Sequence, residues 1–197
     1  MTTLATDPFT GTGTLGANWT DIDAGFSRVS DQASFSTAAS AGSARYTGVA
    51  FPDDQWAQVV IGTTANTASD EGGGPIVRGQ AGGNVYLLQG NTVETRIYKR
   101  VGGSFTQLGT DGAAIAPGDT LYLEIQGTQL IAKKNDVTIC GSPTDAAIAT
   151  GSAGIWGSES AGGDVLLDNF SGGDFAGGGG GGSVGTPVAR RFMGWTV

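Results

Sequence analysis

Glycine is what most restricts this chain. Thirty-six glycines are spread over 197 residues, many of them clustered with Asp, Asn or Pro between short apolar runs. Glycine inside a helix costs about 0.5–1 kcal/mol relative to alanine, whereas turns that need a positive φ accept it without strain. The runs Trp56–Ile61, Ile76–Gln80, Val85–Gln89, Val93–Arg100, Leu121–Gln126, Gln129–Lys134 and Val165–Phe170 therefore read as strands. Turns are expected at Pro52-Asp53-Asp54, Gly72-Gly73-Gly74-Pro75, Gly82-Gly83-Asn84, Gly102-Gly103, Pro117-Gly118-Asp119 and Asn135-Asp136. No segment sustains a helical period. The pattern predicts an all-β chain, built as an antiparallel two-sheet sandwich.

Alternation is clearest in two of these runs. Val93, Thr95 and Ile97 fall on one side of a strand, with Glu94, Arg96 and Tyr98 on the other. Leu121, Leu123 and Ile125 likewise oppose Tyr122, Glu124 and Gln126. A period of two marks a strand with one buried face. The expectation is that the two strands combine into one polar face. Together with Tyr86, the residues Arg96, Tyr98, Tyr122, Glu124 and Gln126 form the candidate ligand-binding set, since a saccharide site needs aromatic platforms beside hydrogen-bonding groups.

Composition removes several functions. The chain has no histidine and a single cysteine, Cys140. Ser-His-Asp, Cys-His and His-metal chemistry are excluded, as is an intramolecular disulfide. Cys140 reads as a small buried hydrophobe. A net charge of −8 argues against nucleic acid as a partner and against adsorption to anionic membranes. The N-terminus shows neither a basic region nor an apolar stretch of signal-peptide type. The expected location is a virion or the extracellular space.

Three segments are expected: a sandwich over residues 1–175, a glycine-rich linker over 176–187 and a docking tail over 188–197. Six consecutive glycines, Gly177 to Gly182, have no side chains to bury. Beyond them Arg190, Arg191, Phe192, Met193 and Trp195 are of the types enriched in interface cores.

Several stretches point to a family. Asp7-Pro-Phe9 followed by Leu15-Gly-Ala-Asn-Trp19 resembles the opening strand of concanavalin A-like lectin and glucanase domains. Asp119–Gly127 with Leu130–Asp136 resembles their paired strands and hairpin. Thr144-Asp145 leading to Thr150–Trp156, and the closing Leu166-Leu167-Asp168-Asn169-Phe170, fit the same pattern. The resemblance covers about residues 4–175. It implies a jelly-roll of two curved antiparallel sheets with the first and last strands adjacent. Domains of this kind with a glycine-rich connector and an aromatic end also resemble pieces of phage virions.

The resemblance raises enzymatic and metal-binding roles, and the residues weigh against both. Glucanases of this fold carry their carboxylates on one strand as E-x-D-x-x-E, and no such motif occurs here. Glu71, Glu94, Glu124 and Glu159 are isolated, so no catalytic residues are assigned. Calcium has candidate loops at Asp53-Asp54, Asp70-Glu71 and Asp164 with Asp168, but none has a defined ligand spacing, and no metal ligand or cofactor is assigned. Trp19, Trp56 and Trp156 sit in apolar settings and are expected in the core. The leading expectation is a non-enzymatic structural or adhesion module of a virion, a homo-oligomer docking to protein subunits through its tail. The alternative is a monomeric carbohydrate-binding domain with glycans as partners.

Overall fold

The computed structural model describes residues 1–23, 25–35, 40–64, 71–159 and 165–175. The linker and tail expected over 176–197, including Arg190, Arg191, Phe192, Met193 and Trp195, lie outside the described residues, as do Asp70, Asp164 and the Glu159 side chain. All regular structure among the described residues is strand. In order these are β1 (Thr2–Asp7), β2 (Trp19–Asp21), β3 (Phe26–Val29), β4 (Gln32–Phe35), β5 (Ser40–Tyr46), β6 (Gln55–Thr64), β7 (Gly72–Gly79) and β8 (Val85–Gly90). The second half adds β9 (Glu94–Val101), β10 (Ser104–Ala113), β11 (Thr120–Gln126), β12 (Gln129–Lys134), β13 (Val137–Ile139), β14 (Ser152–Glu159) and β15 (Val165–Asp174).

They form two antiparallel sheets. One runs β13-β12-β11-β6-β15-β4-β3, with β1 also paired to β15; the other runs β10-β9-β8-β7-β14-β5-β2. The first and last strands are adjacent, with Thr2 opposite Asp174 and Asp7 opposite Phe170, as the family resemblance implies. Between the sheets lies one core that includes Phe9, Trp19, Phe35, Val59, Ile61, Tyr86, Leu88, Ile97, Leu121, Leu123, Ile125, Ile155 and Phe170. Leu121, Leu123 and Ile125 are fully buried, and so are Thr95 and Ile97, so the alternation identified the inward faces of β9 and β11, except that Val93, placed with Thr95 and Ile97, precedes β9 and is exposed. Hairpins close where side chains tolerate positive φ: Gly102 (58°) and Gly103 (82°) join β9 to β10, and Asn135 (49°) and Asp136 (65°) join β12 to β13.

One expectation is corrected. Gly72-Gly73-Gly74-Pro75 is no turn but the buried first half of β7, a central strand. A Cβ at Gly72 would run into the Gly90 carbonyl, and one at Gly74 into the Leu88 carbonyl. Glycine is required here by close backbone approach rather than by chain reversal. The ladder between β7 and β8 pairs Gly73 with Gly90 and then Ile76 with Leu87; it omits Pro75, which has no N–H to contribute. Trp19, Trp56 and Trp156 are all buried, as expected. Trp19 joins the intersheet core, whereas Trp56 and Trp156 stand on the outer faces of the two sheets, Trp156 in a second cluster with Ile76, Val85 and Leu87.

At the end of the sandwich Arg78 ties three loop segments together. It is 4% exposed, and its guanidinium donates to the carbonyls of Asp53 (2.9 Å), Ile148 (2.9 Å) and Gly127 (2.8 Å). Asp54, one of the acids considered for calcium, accepts from the Gly127 N–H (2.7 Å) and lies 3.7 Å from Arg78. Among the described residues no group of three acidic or cysteine side chains is placed to hold a metal ion.

Candidate functional site

The six sequence-derived candidates do not form one face. Tyr86 points inward and is fully buried; its hydroxyl donates to Asp145 Oδ1 (2.7 Å) and accepts from the Ile148 N–H (3.0 Å). Burial, with the Asp145 carboxylate beside it, pushes the Tyr86 hydroxyl up to about 12. Burial alone would raise Asp145 as well, but the Lys99 ammonium (2.5 Å), Tyr86 and the Ala147 N–H outweigh it and hold the carboxyl below its ordinary range. This is a structural cluster that pins the loop before β14.

The other five divide between the sheets because β9 and β11 belong to different ones. On the outer face of the eight-stranded sheet, Tyr122, Glu124 and Gln126 meet Trp56. Tyr122 stacks on Trp56 (5.8 Å, 24°), and its hydroxyl donates to Glu124 Oε2 (2.5 Å). The Trp56 indole N–H donates to the Asp174 carbonyl (3.1 Å), and Lys133 lies over the Tyr122 ring (4.7 Å). Desolvation and the neighbouring Glu124 carboxylate push the Tyr122 hydroxyl far above its ordinary value. The aromatic rings here are already occupied by one another.

Arg96 and Tyr98 stand on the outer face of the seven-stranded sheet, beside a hollow of about 240 Å³. It is lined by Ala41, Gln89, Tyr98, Phe105, Trp156 and Ser158. Register explains the hollow. Trp156 pairs with Gly74 and Ser158 with Gly72, so β7 contributes no side chain between them and Gln89 on β8. The walls then lean inward. Phe105 on β10 and Trp156 on β14 are separated by four interstrand steps, roughly 19 Å along a flat sheet. Their ring centroids are 5.4 Å apart at 63°. Tyr98 meets Phe105 edge-on (6.3 Å, 89°). Such contacts require the face to be concave.

A second bridge crosses the same face. The loop after β2 folds back so that the Ile22 and Asp23 N–H groups donate to the Ser43 carbonyl. Ile22 packs against the cluster that Ile76, Val85, Leu87 and Trp156 form. Asp23 then pairs with Arg100 on β9 through both guanidinium nitrogens and accepts from the Ser43 hydroxyl (3.0 Å). Arg100 also lies over the Phe105 ring (5.6 Å). On the far side Arg96 pairs with Glu94 (2.8 Å) and Asp111 (2.9 Å). The Asp111 bond, foremost, holds the guanidinium above its ordinary value. Trp156 is 2% exposed, and its indole N–H has no hydrogen-bond partner. A buried donor without a partner costs about 1–3 kcal/mol.

Phe105, Gln89, Ser158 and Ala41 were not among the sequence-derived candidates. A strand beginning immediately after the Gly102-Gly103 turn would have placed Phe105 opposite Arg100, where it is found. The concavity that brings Phe105 to Trp156 has no local sequence signal.

No family model matches the sequence, and no curated protein matches it significantly. Solved structures share the fold. Carbohydrate-binding module CBM66 from Bacillus subtilis superposes with a TM-score of 0.63 at 13% identity, covering 77% of this chain and 93% of that one. The GH43 protein BlXynB from Bacillus licheniformis gives 0.62 at 16% identity; 86% of this chain matches, corresponding to only 39% of that protein. The exoplasmic/lumenal domain of VIP36, solved in a Ca2+/Man2-bound form, gives 0.57 at 14% identity, covering 86% of each chain. The fold is a concanavalin A-like jelly-roll β-sandwich.

Proposed function

We propose that the chain is a non-catalytic carbohydrate-binding domain whose ligand sits in the hollow on the seven-stranded sheet. The observation that carries this reading is the concave, aromatic-walled cavity of Trp156, Phe105 and Tyr98, which no side chain of the described residues fills. Sugar rings present apolar C–H faces to aromatic walls and hydroxyls to flanking polar groups, here Gln89 and Ser158. Support comes also from the company of the fold: one neighbour is a carbohydrate-binding module and another was solved with Man2 bound. Catalysis by paired carboxylates is disfavoured because none of the lining residues is acidic. Assembly through the C-terminal tail rests on residues outside those described, and no observation in the structure favours it.

The test is a glycan array with the full chain, followed by calorimetry on any sugar it retains. Phe105 is 46% exposed, so Phe105→Ala leaves the fold intact. Losing its contact weakens binding about tenfold, equivalent to roughly 1.4 kcal/mol. An array without hits, or an unchanged affinity in Phe105→Ala, ends this reading. Release of reducing sugar from a bound glycan would overturn its non-catalytic part.

A further inference from the structure

Resting on that reading, we infer that the site takes the end of a saccharide chain, a single terminal sugar ring, rather than an internal stretch. Three observations converge. The hollow measures about 240 Å³, below the about 300–1,000 Å³ of ordinary small-ligand pockets, which suits one ring and not a run of them. Its aromatic walls form a corner: Phe105 is tilted 63° to Trp156 and 89° to Tyr98. A chain that stacks ring after ring needs aromatic planes laid along one surface, and these planes turn away from one another. Finally, the concave face is not an open trough. The Phe105–Trp156 contact joins strands four steps apart, and the Asp23–Arg100 pair joins the loop over β5 to β9. A polymer lying along the strands would have to pass both bridges, whereas a terminal ring entering from solvent passes neither and rests against the Phe105–Trp156 walls.

The lining sharpens the chemistry. A cavity whose walls carry no acidic or basic side chain selects a neutral ring. The bridging arginines are already committed to Asp23 and to Glu94 and Asp111, so a carboxylated sugar gains no free cation from them.

Calorimetry on the full chain tests this with three linear series, β-1,4-glucose, α-1,2-mannose and β-2,6-fructose oligosaccharides of one to five residues, each beside the methyl glycoside of its terminal sugar. In any series that binds, the dissociation constant stays within about twofold from the methyl glycoside to the pentamer, and each chain takes up one protein. Phe105→Ala weakens the monomer and the tetramer by the same factor. A dissociation constant that falls tenfold or more between dimer and tetramer overturns chain-end recognition while leaving carbohydrate binding intact. Silence in every series and on the array removes the carbohydrate reading itself and this inference with it.

Discussion

The outer faces of the two sheets carry nearly the same residues and behave differently. Each has a buried tryptophan, a tyrosine, a glutamate and a basic side chain. On the eight-stranded sheet these groups satisfy one another: the Trp56 N–H reaches the Asp174 carbonyl, Tyr122 stacks on Trp56, and its hydroxyl is held by Glu124. On the seven-stranded sheet the Trp156 N–H has no partner, the rings meet at steep angles, and a cavity remains among them. The difference lies in the neighbours. Trp56 is flanked in register by Glu124 and Gly173, one of which carries a side chain into the cluster. Trp156 faces Gly74 on one side and Ser43 on the other, so β7 contributes no side chain at Gly72 and Gly74 to fill the space beside it. Residue type alone does not distinguish a binding face from a packed one; unfilled volume and unmet hydrogen bonds do.

The sharpest way to break this comparison is to truncate both tryptophans. Trp56→Ala removes a ring packed against Tyr122 and is expected to cost about 3–5 kcal/mol of stability with no change in saccharide affinity. Trp156→Phe keeps an aromatic wall, lowers stability far less, and weakens binding by cutting back the ring that lines the hollow. Denaturant unfolding and calorimetry on the same two variants check both halves. If Trp56→Ala loses ligand while Trp156→Phe keeps it, the assignment of the two faces is reversed.

A smaller effect is expected from filling the floor. Gly74→Ala forces a methyl group against the Leu88 carbonyl in the middle of a buried strand, and overpacking of this kind typically costs about 1–3 kcal/mol. The β7–β8 backbone must move to accept it, so binding should fall with stability. Gly82→Ala, in the turn before β8 where nothing stands within 4 Å, serves as the control and should change neither by a measurable amount. Equal behaviour of the two variants in thermal melts would show that the floor does not depend on close backbone approach.

These experiments bear on positions that the sequence rendered unequally. The strands β6, β8, β11 and β12 were legible because their apolar residues alternate or run unbroken between turn residues. The inward faces of β9 and β11 were legible for the same reason. Which sheet each strand joins was not: a period of two tells the inside of a strand from its outside, yet β9 and β11 ended on opposite faces of the molecule. Gly72–Gly74 was misread because the turn preference of glycine is local, whereas its role here follows from the β8 backbone lying alongside. The apolar setting of Trp156 signalled its burial but not its face, since Ile155 beside it points into the intersheet core and neighbours in a strand point opposite ways. Phe105 was missed because β10 is exposed over most of its length and lacks an apolar stripe.

The smallest effect concerns titration on the packed face. The Tyr122 hydroxyl is held far above its ordinary value by desolvation first and by the Glu124 carboxylate second. A group whose folded pKa is raised contributes stability that is complete below its unfolded value, about 10 for tyrosine. That contribution is lost only as pH climbs through the folded value. Ultraviolet difference spectra should therefore find Tyr122 and Tyr86, two of the four tyrosines, still protonated at pH 11 while the chain remains folded. Glu124→Gln removes the negative charge but not the burial, so Tyr122 should ionise at lower pH than in the parent protein, with Tyr86 unmoved. Saccharide affinity at neutral pH should not change, because the ring of Tyr122 already has its partners in Trp56 and Lys133. A Tyr122 that ionises near pH 10 in the parent chain would mean that this face is open to water, and the contrast between a filled face and an unfilled one would then fail.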